Sequence, residues 1–239
     1  MSEICKWLHE QLEQLSLVKF PFKVEQLPEN GIYFFYEDRE IWGHGGHKPR
    51  IVRIGTHKGE GNFRSRIKEH FLLDESKMNF DATKPAPHDR SIFRTNIGRV
   101  LLNKAKDDYL NIWEIDFTSR NKRDEYGHRR DIQKEKMIEL EITRILRERF
   151  SFRFIIMTDV QMKEMVTKRL ESFLIGTVAH CKMCRPSSNW LGSHSPKKRI
   201  KESGLWLVQH LKSNEINESD KGNTLNAITR TKEWIVNGR

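Results

Sequence analysis

The sequence has few cysteines and no long apolar runs, and these two absences narrow the class of protein. Its 239 residues include three cysteines, Cys5, Cys181 and Cys184, which cannot all pair within one chain. The cysteine count therefore argues against a secreted, disulfide-stapled fold, and we expect reduced thiols. No apolar run approaches the roughly 20 residues that span a bilayer. The first residues also lack the basic and then apolar pattern of a signal peptide. We expect a soluble cytoplasmic protein that has no membrane partner.

Acidic residues are also in deficit, both overall and locally. The chain has 43 Lys and Arg against 33 Asp and Glu, a formal charge of +10 and a pI near 9.5. This balance favours a polyanionic partner, first nucleic acid and second an anionic membrane surface. Glu171 is the sole carboxylate between Met165 and Lys201, a stretch with eight basic residues. A site that cleaves phosphodiesters needs cations for the phosphate and an oxygen ligand for a divalent metal, and this stretch is compatible with both.

The hydrophobic patterns predict an α/β fold in which helices flank a small, mainly antiparallel three-stranded sheet. Segments rich in β-formers predict strands at 31–37, 50–56 and 153–157. The glycine-rich segment 38–49 predicts a hairpin loop between the first two strands, and alternation places Tyr33 and Phe35 on one face. Segment 109–117, "YLNIWEIDF", fits either a strand or a short buried helix.

Apolar residues at helical spacing predict several helices around this sheet. They are expected at 3–15, 62–73, 90–105, 129–149, about 160–179 and 197–211, with a last helix ending in "EWIVNG".

Local signals add detail to these helices. Asp89 is available as the N-cap of the helix at 90–105, with Ile92 inward and Arg94 outside. Thr158 and Gln161 form a capping box, and 119–128 is expected to be an exposed loop.

The predicted organisation is one core with additions at both ends. We assign an N-terminal helical extension to 1–28, a nuclease-like domain to 29–192 and a basic helical extension to 193–239.

The order of several residues resembles the GIY-YIG nuclease family. The segments Gly31–Tyr33 on the first strand and Arg53–Gly55 on the next are similar to the two halves of its signature. Further matches follow in the family's order at Arg66, His70, Glu171 and Asn189. The tripeptide "GIY" alone is common, but ordered matches on the expected elements are specific. The blocks "SIFRTNIGRVLL" and "SGLWLVQHL" also resemble segments of some bacterial members.

The resemblance implies roles for three of these residues. Tyr33 would act as the base, because a tyrosine near cations and a metal can lose its proton. Glu171 would bind Mg²⁺ or Mn²⁺, and Arg66 would contact the phosphate, with Arg64 as the competing candidate. The ordinary alternatives are a buried strand aromatic for Tyr33, a solvated helix residue for Glu171 and a solvated helix face for the arginines.

The remaining matches leave alternatives open. His70 could orient the attacking water or contact the phosphate. Alternatively, it caps the helix surface. Asn189 either holds Tyr33 or the metal shell by hydrogen bonds, or is a turn residue. Arg53 stands where the family usually has its second tyrosine; it can clamp a phosphate but cannot shuttle a proton. His57, two residues after Gly55, could take over that task.

The resulting expectation is a metal-dependent DNA endonuclease. The absence of a separate DNA-recognition module favours a restriction-like or defence enzyme. We expect double-stranded DNA as partner, and cutting both strands with one site per chain suggests a homodimer. The alternative is a non-cleaving nucleic-acid-binding protein with a degenerate nuclease fold, because of Arg53.

The segment "HCKMC" adds a possible zinc site. Zinc ligands are conceivable at Cys181 and Cys184 together with His180 and His194. With one CxxC and no second pair, two packed thiols are the favoured interpretation.

Overall fold

A four-stranded antiparallel sheet lies at the centre of the protein. The computed structural model describes residues 3–237. The strands are β1 (Val18–Lys19), β2 (Gly31–Ile41), β3 (Pro49–Gly55) and β4 (Phe150–Ile156). Their order is β1-β4-β2-β3, and each neighbouring pair is antiparallel. The predicted α/β class is confirmed. The sequence did not predict β1, because a strand of two residues is too short to produce an alternating pattern.

Helices cover both faces of this sheet. Those in the described residues are α1 (Glu3–Leu12), α2 (Phe63–Phe71), α3 (Ile92–Ala105), α4 (Leu110–Trp113), α5 (Arg120–Tyr126), α6 (Ile132–Arg149), α7 (Asp159–Lys163), α8 (Val166–His180), α9 (Lys198–Ser203) and α10 (Glu218–Val236). Within residues 3–237, none of them combines the length and the apolar character needed to cross a lipid bilayer.

The alternation of side chains along β2 divides the core into two clusters. Ile32 and Phe34 face one side, where α1, α8 and α10 pack against the sheet. Tyr33 and Phe35 face the other side, where they meet side chains of α2, α3 and α6. The prediction that Tyr33 and Phe35 share a face is confirmed. The strand pattern therefore directs the Tyr33 ring towards the helices of the second cluster.

The start of α3 differs from the prediction. Ser91 is the N-cap, and its Oγ accepts a hydrogen bond from the Arg94 amide. The carboxylate of Asp89 instead accepts from the amides of Ala86, at 2.7 Å, and Phe117, at 3.1 Å. Ile92 is 41 % exposed, whereas Arg94 is completely buried. The predicted orientations of Ile92 and Arg94 are therefore both wrong. The cause is the buried carboxylate of Glu139 on α6, which forms an ion pair with Arg94.

Two segments between α3 and α6 are helical. Segment 109–117 contains α4, so the short buried helix, and not the strand, is the correct alternative. Segment 119–128 contains α5, so the predicted loop is wrong. Ser119 is the N-cap of α5, since its side chain accepts a hydrogen bond from the Lys122 amide.

The C-terminal third also departs from the predicted helix lengths. The helix expected at 160–179 is divided into α7 and α8 at Met165, whose φ is +61°. Its capping box of Thr158 and Gln161 is confirmed. The basic helix expected at 197–211 ends at Ser203, because Gly204 adopts a left-handed conformation with φ +70°. Gly238, the end of the last predicted helix, lies outside the described residues.

A buried ion cluster connects α2, α3 and α6 behind the sheet. Glu139 accepts hydrogen bonds from Arg94 Nε at 3.0 Å and from the His88 amide at 2.6 Å. Arg94 also donates to the backbone carbonyl of His70 at 3.0 Å, which ties α2 to α3. Burial raises the pKa of Glu139, but the charge of Arg94 and the contact with His88 outweigh it and lower the pKa to about 2.

We expect Glu139→Gln to destabilise the fold at neutral pH by about 3 kcal/mol, because Arg94 loses its buried counter-charge. The pKa of Glu139 falls from 4.5 to about 2 on folding, so its stabilisation is present above pH 4.5 and is lost as the pH falls through 2. Chemical denaturation at several pH values should therefore show the mutant and the unsubstituted protein converging in acid. Glu141→Gln, in an exposed pair with Arg144, is the control and should cost under about 1 kcal/mol. A pH-independent difference would contradict the assignment.

Candidate active site

One cleft of about 840 Å³ brings together residues that are far apart in the sequence. Its lining includes Tyr33 from β2, Arg53 from β3, Arg66 from α2, Asn96 from α3 and Glu171 from α8. Further basic side chains surround it at Lys58, Arg90 and Lys168. The cleft is therefore rich in cations, as an anionic ligand requires.

Gly55 allows the tyrosine to reach this cleft. Tyr33 and Gly55 are direct partners across the β2–β3 ladder. A Cβ atom placed on Gly55 would lie 2.3 Å from the Tyr33 hydroxyl oxygen, so the ring lies directly over the glycine. Any larger residue at Gly55 would displace the ring. The glycine of β3 and the tyrosine of β2 thus form one structural unit.

The Tyr33 hydroxyl lies between a histidine and two guanidinium groups. His70 Nε2 is 3.1 Å from the hydroxyl oxygen, and His70 Nδ1 is 2.8 Å from Ser91 Oγ. The guanidinium groups of Arg53 and Arg66 lie near this hydroxyl and interact with it electrostatically. Burial and the charges of the nearby arginines hold the pKa of His70 well below its usual value, so its ring is neutral. Because His70 is fully buried behind Tyr33, it does not cap a helix surface.

Arg53 is a fixed cation in the cleft. Its Nη1 donates to the Trp206 carbonyl at 2.5 Å, and its guanidinium lies 4.8 Å from the centre of the Phe93 ring. Burial lowers the pKa of Arg53, while Tyr33 and Glu171 oppose this shift. Within the described residues, Arg53 Nε is buried without a hydrogen-bond partner. Arg53 therefore presents a rigid charge beside Tyr33.

The two candidate arginines of α2 are separated by the structure. Arg66 lines the cleft, and its Nη1 donates to Glu69 at 2.9 Å and to the Arg90 carbonyl at 2.7 Å. Arg64 does not line it, because its Nε donates to the Leu27 carbonyl at 2.7 Å. Arg66 is therefore the guanidinium on α2 that a ligand in the cleft would meet.

Glu171 is placed to offer an oxygen ligand. Its Oε1 accepts a hydrogen bond from the Thr56 amide at 3.0 Å, which fixes the carboxylate against the end of β3. Burial raises the pKa of Glu171, and the Thr56 amide and the charges of Arg53, Arg66 and Lys168 oppose this shift. In the part of the chain that the structure describes, Glu171 forms no ion pair, whereas Glu69 pairs with Arg66. Its carboxylate is thus the one in the cleft best suited to a divalent cation.

Two other predicted residues have different surroundings. Asn189 is exposed in the turn before Trp190 and is not part of the cleft lining. His57 lines the cleft, but its Nδ1 bonds to the Gly59 carbonyl at 2.8 Å and its Nε2 accepts from the Gly31 amide at 3.3 Å. Since both ring nitrogens are occupied by backbone groups, His57 is held in place as a structural residue of the β3 end.

The structure adds two polar residues that sequence reasoning missed. Thr56 orients Glu171 through its amide, and its hydroxyl donates to the Gly31 carbonyl at 2.7 Å. Asn96 is buried, and its Oδ1 is held by Arg99 at 2.7 Å. Its Nδ2 has no hydrogen-bond partner in residues 3–237, although it belongs to a cleft-lining side chain. The amide nitrogen is thus a buried, unpaired donor beside the cleft.

Comparison with known proteins gives one family match. The model of a GIY-YIG domain matches residues 3–233. No curated protein and no solved structure matches the chain.

Proposed function

The chain belongs to the GIY-YIG domain family, whose members are nucleases, and we propose that it is a metal-dependent endonuclease that hydrolyses phosphodiester bonds in DNA. The observation that carries this proposal is the convergence of the Tyr33 hydroxyl, the Glu171 carboxylate and two arginines in one cleft. A general base, an oxygen ligand for a metal and fixed cations are the groups that phosphodiester hydrolysis requires.

The donor set in the cleft fits Mg²⁺ or Mn²⁺ at Glu171. These ions prefer oxygen ligands and commonly use one or two carboxylates together with water and substrate phosphate. Glu171 supplies a carboxylate that is oriented by Thr56 and is not neutralised by an ion pair among the described residues. When bound there, the metal would neutralise charge on the phosphate and on the leaving oxygen.

The chain's own residues divide the remaining tasks. Tyr33, acting as its phenolate, accepts the proton of the attacking water and returns to the hydroxyl form, while the neutral His70 ring holds the phenolic oxygen in position. Arg53 and Arg66 place positive charge beside that hydroxyl and bind the non-bridging phosphate oxygens. Asn189 is exposed and does not line the cleft, so we assign it no part in the reaction.

The finer parts of the proposal concern the biological role. We propose double-stranded DNA as the substrate and a restriction-like or defence function, with a homodimer as the form that cuts both strands. The alternative remains a protein that binds nucleic acid without cutting it, and the presence of Arg53 in place of a tyrosine favours that alternative.

Plasmid cleavage tests the proposal directly. Purified protein with Mg²⁺ should nick or linearise supercoiled plasmid, and EDTA should stop the reaction. A gel-shift assay without Mg²⁺ should detect binding to the same DNA. Binding without cleavage in either Mg²⁺ or Mn²⁺ would instead support the non-cleaving alternative.

Within this assay, we expect Arg66→Ala to lower the cleavage rate by about 10²- to 10³-fold, because a donor to the phosphate is removed. Arg64→Ala is the matched control: it removes the same group two residues away, outside the cleft, and should change the rate by less than about threefold. Rate constants under single-turnover conditions compare the two. Equal losses would exclude a specific phosphate contact by Arg66.

A further inference from the structure

Three segments of the chain bring four metal-ligating side chains together at the end of the sheet remote from the cleft. Cys5 lies on α1, His44 lies in the loop between β2 and β3, and Cys181 and Cys184 follow α8. Their ligand atoms all lie within 4.8 Å of one another. The three cysteines are buried, His44 is half-buried, and the thiols are not joined by disulfides.

The distances agree with a tetrahedral site. Cys5 Sγ is 4.0 Å from Cys184 Sγ, and Cys181 Sγ is 3.3 Å from His44 Nε2. Two sulfurs that each lie about 2.3 Å from a tetrahedral zinc ion are about 3.8 Å apart. The observed separations therefore require only small side-chain movements to close around one ion.

We propose that Cys5, His44, Cys181 and Cys184 bind one structural Zn²⁺ ion. Three thiolates and one imidazole form a complete ligand set of the kind that structural zinc sites use. On binding, the three thiols would release their protons to solvent, and His44 would bind through Nε2 as a neutral ring. Because four protein ligands fill the coordination sphere, this site has no open position for catalysis.

The backbone around the four side chains supports this geometry. The backbone amides of Met183 and Cys184 lie near the Cys181 sulfur, and the amide of Gly43 lies near the Cys184 sulfur. Such amide donors stabilise metal-bound thiolates. A Cβ atom on Gly43 would lie 1.8 Å from the Met183 carbonyl oxygen, so the hairpin loop and the CxxC turn are in backbone contact. Glycine permits the approach that brings His44 to the cysteines.

A neighbouring histidine supports the cluster without being available as a ligand. His9 Nδ1 bonds to the Cys5 carbonyl at 2.9 Å, and its Nε2 accepts from the Ile51 amide at 3.3 Å. His9 Nδ1 also lies 3.6 Å from Cys5 Sγ, and His9 thus fixes the turn of α1 that carries Cys5. We therefore take His44 as the fourth ligand, because its ring nitrogen lies within 4.8 Å of the three sulfurs and His9 does not belong to this group.

The zinc ion would stabilise the elements on which the cleft is built. It would join α1 to the β2–β3 hairpin and to the end of α8. Glu171 and Cys181 are both at α8, about 15 Å apart along the helix axis. This site is therefore chemically and spatially separate from the Mg²⁺ proposed at Glu171, and it does not depend on the nuclease function.

The test is zinc content of the full-length protein, purified under reducing conditions without chelator and measured by mass spectrometry. We expect one zinc per chain and a lowered melting temperature after chelation. Adding Co²⁺ to the zinc-free protein should give the absorption of a tetrahedral thiolate site. Absence of both stoichiometric zinc and this spectrum would overturn the proposal, as would a disulfide between any two of the cysteines.

Variants identify the ligands. His44→Ala and Cys184→Ser should each weaken zinc binding at least tenfold. His44→Ala is the more secure variant for folding, because His44 lies in a half-exposed loop. His180→Ala and His194→Ala are controls, since both side chains are exposed and outside the cluster, and they should keep full zinc content. Unchanged zinc affinity in His44→Ala would remove His44 from the ligand set and refute the site.

Discussion

Glu171→Gln should lower the Mg²⁺-dependent cleavage rate by at least about 10³-fold while DNA binding persists. The substitution keeps the shape of the side chain and its contact with the Thr56 amide, but it removes the negative charge. A neutral amide is a poor ligand for Mg²⁺, and loss of metal-assisted charge neutralisation costs several kcal/mol in the barrier, with about 1.36 kcal/mol for each factor of ten. Single-turnover cleavage and gel shift measure the two effects separately.

A control variant distinguishes the loss of a metal ligand from the general effect of removing one negative charge. Glu164→Gln removes a carboxylate that is exposed and outside the cleft, and it should leave the rate unchanged. Removing a negative charge from a cationic cleft should also preserve or tighten DNA binding, because repulsion of the phosphates is reduced. If Glu171→Gln cuts at the normal rate, the metal ligand lies elsewhere. If it neither binds nor keeps its melting temperature, the residue is structural.

The sequence predicted three cleft residues, because each lies in a segment with a clear local pattern. Tyr33 lies on a strand with clear alternation, Arg66 lies on an amphipathic helix, and Glu171 is the single acid of a basic stretch. These local signals, together with the family's order of residues, led to the three side chains that the structure places in one cleft. The roles that they have there are still predictions.

Other features depend on contacts between distant segments, and no local pattern reports them. Arg94 was predicted at the surface because its own helix gives no sign of Glu139, a buried partner 45 residues away. Asn96 shares a helix with Arg94 and appears as an ordinary polar residue until the cleft forms around it. The same holds for Cys5 and His44, whose proximity to the CxxC segment requires the fold.

Asn189 was matched to the family's asparagine only by its order along the chain, and order alone does not give a position in space. Spacing between Glu171 and Asn189 includes the CxxC turn, and the structure places Asn189 in solvent after this turn. Matching residues to a family by their order assumes that the segments between them are as long as in other family members. Residue order alone therefore does not determine whether a side chain reaches the cleft.

Tyr33→Phe should lower the cleavage rate by about 10²- to 10⁴-fold without loss of the fold, because a general base contributes in this range. Only the hydroxyl is removed, and the ring can still lie over Gly55. The lost hydrogen bond to His70 costs about 0.5–1.5 kcal/mol of stability, too little to unfold the protein. Cleavage rates and thermal unfolding, measured on the same preparation, separate the chemical effect from the structural one.

Tyr36→Phe is the matched control for this prediction. Tyr36 lies on the same strand, but it belongs to the opposite core cluster and does not line the cleft. Removing its hydroxyl should therefore leave the rate within about threefold of the unsubstituted protein. A normal rate for Tyr33→Phe would mean that another group takes the proton from water. Equal losses in both variants would point to disruption of β2, because the two hydroxyls share the strand and nothing else that bears on cleavage.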